Sequence, residues 1–200
     1  MSRVKGSVLD IMPIYHQHLE AGSYEFELEA KGRAGGVFAP GTHELRYDLM
    51  RNASGGLIVL IFQLPEKPGS VIHDVSFVVT PEDCAIDLGT GTALLTGAKC
   101  NQPLSSDEWN VRIHGVSPTT CKVASPQFQK IELPAGTFDT TEIRCSSAPD
   151  AGGSYLELRF WYSADIGLVV KYVGRMANPS GKDDWSLAGQ LQSYKVTPHK

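Results

Sequence analysis

The sequence predicts an all-β fold: antiparallel meanders forming a barrel or two curved sheets, with one or two short helices. Three observations carry that expectation. Apolar and polar residues alternate along most of the chain, the period-two signature of a strand with one wet face. Glycine- and proline-containing turns separate these stretches at hairpin spacing. Only Ala93 to Lys99 reads as a helix, so the strand–helix rhythm of a parallel sheet is missing.

Taken in order, residues 8 to 19 form an irregular lead-in or edge strand around Pro13. Tyr24, Phe26 and Leu28 then alternate with Glu25, Glu27 and Glu29, and Gly32 to Gly41 breaks the pattern. His43 to Met50 is a second strand. After the turn at Asn52 to Gly56, Leu57 to Leu64 is a continuous apolar run suited to burial on both faces. Val71 to Thr80 alternates again. Between Pro81 and Pro126 the pattern loosens, and the short helices are expected there. Strands resume over Phe128 to Leu133, Thr137 to Cys145, Tyr155 to Ser163, Leu168 to Arg175 and Trp185 to Val196.

Two hairpins organise this second half. At Leu133-Pro134-Ala135-Gly136, proline pre-sets φ and glycine supplies the positive φ that returns the strand. At Ser163-Ala164-Asp165-Ile166-Gly167, aspartate can bond its own backbone and glycine again takes positive φ.

The halves also echo each other. Ala21-Gly22-Ser23-Tyr24 matches Ala135-Gly136-Thr137-Phe138, Glu44-Leu45-Arg46-Tyr47 matches Glu157-Leu158-Arg159-Phe160, Gly56-Leu57-Ile58-Val59 matches Gly167-Leu168-Val169-Val170, and Ser76-Phe77 matches Ser193-Tyr194. The offsets lie between 111 and 117 residues. Either this is a tandem duplication, or it is the shared grammar of any two meanders. The expected organisation is one β-domain over 1–200, with two pseudo-repeats at about 21–80 and 127–197 joined by an irregular 81–126 segment.

A chain of 200 residues with 42% hydrophobic content can bury a sizeable core. The net charge of −4 comes from residues 1 to 100, with 12 acidic against 8 basic side chains. No basic face or arm stands out, which argues against nucleic acid as a partner. The longest apolar run, Leu57 to Phe62, falls far short of the roughly 20 residues that span a bilayer as a helix.

Cys84, Cys100, Cys121 and Cys145 contain no C-x-x-C pair and have no histidine at zinc-finger spacing, so structural zinc is disfavoured. Four cysteines allow three disulfide connectivities. Pairing neighbours, Cys84 with Cys100 and Cys121 with Cys145, would close two loops of moderate size; four reduced, half-buried thiols are the alternative. Met1 to Gly6 has no following hydrophobic leader. The chain is then cytoplasmic, or a signal peptide has been removed from a protein of the periplasm or cell envelope.

Pro134-Ala135-Gly136-Thr137-Phe138, followed by Trp161-Tyr162-Ser163 and Ile166-Gly167-Leu168-Val169, resembles a signature of exported bacterial envelope proteins of uncharacterised function. In that group a P-A-G-x-[FY] hairpin precedes an aromatic strand and an [IVL]-G-x-V turn. The resemblance covers about residues 127 to 175. It implies a periplasmic or lipid-anchored β-barrel or half-barrel and brings no catalytic residue with it.

The chemical signals are sparse. Asp87-Leu88-Gly89-Thr90-Gly91-Thr92-Ala93 resembles the cofactor turn of class I methyltransferases, but the third glycine and the following long helix are absent. The same string is similar to the phosphate loop of actin-like ATPases, whose two lobes need a longer chain. His16 and His18 could share a strand face near a metal, yet no third ligand is in sequence reach, so no metal and no cofactor are expected. The adjacent acids Asp107-Glu108 and Asp183-Asp184 would point to opposite faces of a strand, the wrong geometry for a glycosidase pair.

Aromatic residues remain. Phe160, Trp161 and Tyr162 must occupy both faces of one strand, and Trp161, Trp185, Tyr172 and Tyr162 are the expected lining of a ligand site, with plain core packing as the competing explanation. The functional expectation is a non-catalytic envelope protein that encloses an apolar small molecule, or binds another envelope protein, between its sheets. A methyltransferase-like enzyme using Asp87 to Gly91 and a structural or assembly module without ligand are the alternatives.

Overall fold

The computed structural model describes residues 20–32, 39–51, 57–64, 71–75, 78–79, 86–87, 109–111, 118–124, 128–163, 165–180 and 182–197. Thirteen strands occur among them: β1 (Gly22–Gly32), β2 (Gly41–Arg51), β3 (Leu57–Leu64), β4 (Val71–Val75), β5 (Val78–Val79), β6 (Ile86–Asp87), β7 (Trp109–Val111), β8 (Thr119–Val123), β9 (Gln129–Leu133), β10 (Gly136–Ser147), β11 (Tyr155–Ser163), β12 (Leu168–Ala177) and β13 (Asp183–Val196). No helix is found among the described residues, and Ala93 to Lys99 lies outside them.

The all-β class and the antiparallel pairing are as the alternation predicts. The closure is not. Eleven strands form one open sheet in the order β4-β3-β2-β1-β13-β12-β11-β10-β8-β7, with β9 added beside β10. Expected as a barrel or two sheets, the described strands have two ends, at β4 and β7, that do not meet; β5 and β6 pair separately. The link that joins the halves is β1 on β13, where Tyr24 lies opposite Tyr194 and Ala30 opposite Leu187.

Register across the sheet explains the core. One row runs through directly opposed residues on seven strands: His43, Leu28, Gly189, Tyr172, Phe160, Ile143 and Val123. The next row carries Ala30, Leu187, Gly174, Leu158, Cys145 and Cys121. Because side chains alternate along a strand, these rows share one face. Tyr24, Phe26 and Leu28 of β1 and Leu45, Tyr47 and Leu49 of β2 continue that face and are buried. The opposite face of β1 carries Glu25, Glu27 and Glu29, as the sequence pattern requires. On β3 the two described side chains, Phe62 and Leu64, are half-buried, less than the full enclosure its apolar run suggests.

Burial changes sides along β10. Phe138, Thr140 and Glu142 are buried in its first half, and Ile143, Cys145 and Ser147 in its second. The first half pairs with β9 and the second with β8. The adjoining hairpin of β11 and β12 is consequently enclosed on both faces: Trp161, Tyr162, Ser163, Leu168, Val169 and Val170 are all buried. A bulge facing Trp161 and Tyr162 takes up the extra residue, Val170, on β12. The turn before β12 ends at Gly167 with φ 65°, and the turn before β10 ends at Gly136 with φ 136°, so both predicted glycine positions adopt positive φ.

Candidate functional site

The doubly covered hairpin gathers most of the predicted aromatic residues, but not into one lining. By register, Tyr162 lies on the core face with Phe160, and Tyr172 faces Phe160 and Gly189 on the same side. Trp185 shares that face further along β13, opposite Met176 and Gly32, and is half-buried. Trp161 points the other way, opposite Glu142 and Lys171. Tyr162 and Tyr172 therefore share one face of the sheet, and Trp161 lies on the other.

On the core face the rings pack closely. Tyr172 lies over Gly189 and approaches Phe26, with centroids 6.2 Å apart, while Phe26 meets Tyr47 edge-on at 5.2 Å. At the end of this layer Tyr194 stacks on Tyr24 and tilts against Phe138, each at 6.2 Å, and remains 38% exposed. Burial, reinforced by the charges of Glu20 and Tyr194, pushes the Tyr24 phenol up to about 12, and its hydroxyl donates to the Glu20 carbonyl at 2.9 Å. Burial alone pushes Tyr162 up to about 12. The next residue, Ser163, is fully buried, and its hydroxyl has no hydrogen-bond partner among the described residues, an uncommon condition in a folded interior.

The opposite face holds a charged cluster that inspection of the sequence missed. Glu142 is only 9% exposed, and its Oε1 accepts from the Nε atoms of both Arg144 and Arg159 at 2.8 Å. Burial would raise this carboxyl, but the two guanidinium hydrogen bonds and their charges outweigh it and hold it below its ordinary value. Arg159 and Lys171 lie over the Trp161 ring at 5.0 and 5.2 Å, and the indole Nε1 donates to the Gln129 side chain at 3.2 Å. The signal was present: Glu142 and Arg144 share a strand face two residues apart, and Arg159 and Trp161 do the same on the neighbouring strand.

Cys121 and Cys145 sit directly opposite each other on β8 and β10, with Sγ atoms 2.02 Å apart and Cα atoms 4.0 Å apart, so they form a disulfide. Cys84 and Cys100 lie outside the described residues. So do His16, His18, Asp107, Glu108 and, beyond Asp87, the Gly89 to Gly91 turn. Asp183 and Asp184 take separate partners: Asp183 accepts from Arg175 at 3.4 Å and Asp184 from Asn178 at 2.8 Å. Among the described residues no three metal-ligating side chains converge, and no helix is long and apolar enough to cross a membrane.

These features define a disulfide-bonded, all-β antiparallel protein. No protein-family model matches the sequence, and no curated protein matches it. Among solved structures the chain is similar to a candidate lipoprotein from Parabacteroides distasonis, with TM-score 0.40 and 13% identity over 90% of this chain and 97% of that one. It is also similar to a candidate exported protein with a YmcC-like fold from Bacteroides fragilis, with TM-score 0.34 and 14% identity over 88% and 97%. The Pseudomonas aeruginosa MucA/MucB complex contains a third, with TM-score 0.38 and 10% identity over 90% of this chain and 53% of that one. At such scores neither the fold nor the role of these proteins is transferred to this chain.

Proposed function

We propose that the protein is a non-catalytic component of the bacterial envelope that binds an apolar molecule, or an apolar segment of another envelope component, at the aromatic end of its sheet. The Cys121–Cys145 disulfide carries the compartment, because such bonds persist where thiols are not continuously reduced. The binding reading is supported by Ser163, whose buried hydroxyl has no hydrogen-bond partner among the described residues and lies on the Trp161 face of β11, opposite Thr140. A buried hydroxyl beside the Trp161 ring suits a ligand that is mostly hydrocarbon and carries a polar head. Trp161 would border it on that face, while Tyr162 and Tyr172 would back the same strands from the core face and Trp185 would lie further along β13.

Native mass spectrometry of gently extracted protein tests this reading. A bound lipid-like mass that is displaced by added fatty acid, and reduced in Ser163→Ala, is expected. A clean protein mass that also fails to bind fatty acid or detergent would contradict it.

We also read the halves as a tandem duplication. The sheet order β4-β3-β2-β1 is followed by β13-β12-β11-β10, so the strands bearing matched segments recur in the same sense. Leu45 and its counterpart Leu158 are both buried.

A further inference from the structure

The outer edge of β9 is complementary to itself. We propose that it pairs with the same edge of a second copy of this chain, antiparallel, about a two-fold axis through Ile131.

β9 is hydrogen-bonded to β10 alone, and among the described residues nothing bonds to its other side. The two-residue turn Pro134–Ala135 leaves Leu133 and Gly136 as the closing hydrogen-bonded pair. Hydrogen-bonded and non-bonded pairs alternate along an antiparallel ladder, so Ile131 and Gln129 also turn their N–H and C=O groups toward β10. The Thr140 hydroxyl donating to the Gln129 carbonyl at 2.7 Å agrees with that orientation. Lys130 and Glu132 therefore direct their backbone donors and acceptors to the free edge, and their side chains are exposed.

An axis through Ile131 places Lys130 of each copy opposite Glu132 of the other. Each such pair exchanges both backbone hydrogen bonds and sets opposite charges face to face, twice per dimer. Moving the axis to Lys130 or to Glu132 would set like charges opposite each other, so one register is selected. On the other face Ile131 meets its own copy in a non-bonded pair, where side chains come closest. Phe128, 71% exposed, comes opposite Pro134 of the second copy, whose missing N–H ends the ladder. The 4.0 Å ion pair from Lys130 to Asp139 joins two exposed side chains and does not occupy the edge. Nothing in this inference depends on the ligand or the compartment proposed above.

Sedimentation velocity on the oxidised full chain, from low micromolar to near millimolar concentration, tests it. The expected result is a monomer–dimer equilibrium, weak because the strand is short, with the Lys130 and Glu132 amides exchanging more slowly as concentration rises. Lys130→Glu and Glu132→Lys should each raise the dissociation constant about tenfold. The double swap K130E/E132K should restore it. Circular dichroism of each variant verifies the fold, which two exposed side chains leave unchanged. A monomer at every concentration would overturn the proposal, as would a dimer indifferent to the single swaps or one not restored by the double.

Discussion

Tyr172 lies across the place where a side chain at Gly189 would be. A Cβ built on Gly189 falls well inside contact distance of the Tyr172 ring, and the two residues are directly opposed on β12 and β13. Absence of a side chain at this one position lets the ring reach across to Phe26. Gly189→Ala should therefore destabilise the protein by about 2–3 kcal/mol through overpacking. The cost of combining it with Tyr172→Leu should be less than the sum of the single costs, because the smaller side chain makes room. Denaturant midpoints of the three variants measure this coupling.

Glu142 links β10 to β11 through Arg159 and is held by Arg144 on its own strand. Its folded-state carboxyl lies below the ordinary value of 4.5, so its contribution is complete above that value and is lost as pH falls through the lower folded value. Glu142→Gln should cost about 1 kcal/mol at neutral pH, discounted for the half-exposed arginines. It should also flatten the acid limb of a stability profile below the ordinary carboxylate range. Urea unfolding across that range checks both.

Tyr24 and Tyr162 titrate in the opposite sense. Each is raised from 10.0 to about 12, so the folded state holds its phenolic protons longer than the unfolded chain does. Stability from these groups is whole below 10.0 and declines as pH rises toward about 12. Ultraviolet titration of the native protein should show late-ionising phenols that include these two, and Tyr162→Phe should remove one of them.

Reduction of the Cys121–Cys145 bond should cost roughly 3 kcal/mol, given the 24-residue separation of its ends and the chain-entropy model. Thermal melts with and without reductant, and of Cys121→Ser, should show the same lowered midpoint. A midpoint unmoved by either change would contradict a constraining role.

Much of this fold was legible because alternation records the face on which a residue lies. Tyr24, Phe26 and Leu28 against Glu25, Glu27 and Glu29 locate β1 and its buried side, and Pro134 and Gly167 locate the two hairpins. Alternation does not record the partner. Nothing in β1 or β13 says that Tyr24 will lie opposite Tyr194, and without that pairing one open sheet cannot be told from a barrel or two sheets. The change of buried side between Glu142 and Ile143 was equally hidden, because it follows from β8 and β9 sharing one edge of β10. Alternation sets Trp161 on the face opposite Phe160 and Tyr162, but that Glu142 and Lys171 share its face follows only from the pairing with β10 and β12.

The most direct test of the account as a whole is a non-reducing peptide map of the protein from its native cells, with free thiols alkylated during lysis. A cross-linked peptide joining Cys121 to Cys145 is the expected result, and it would support both the β8–β10 register and an oxidising home for the chain. Recovery of the two cysteines as separately alkylated peptides would contradict the envelope reading.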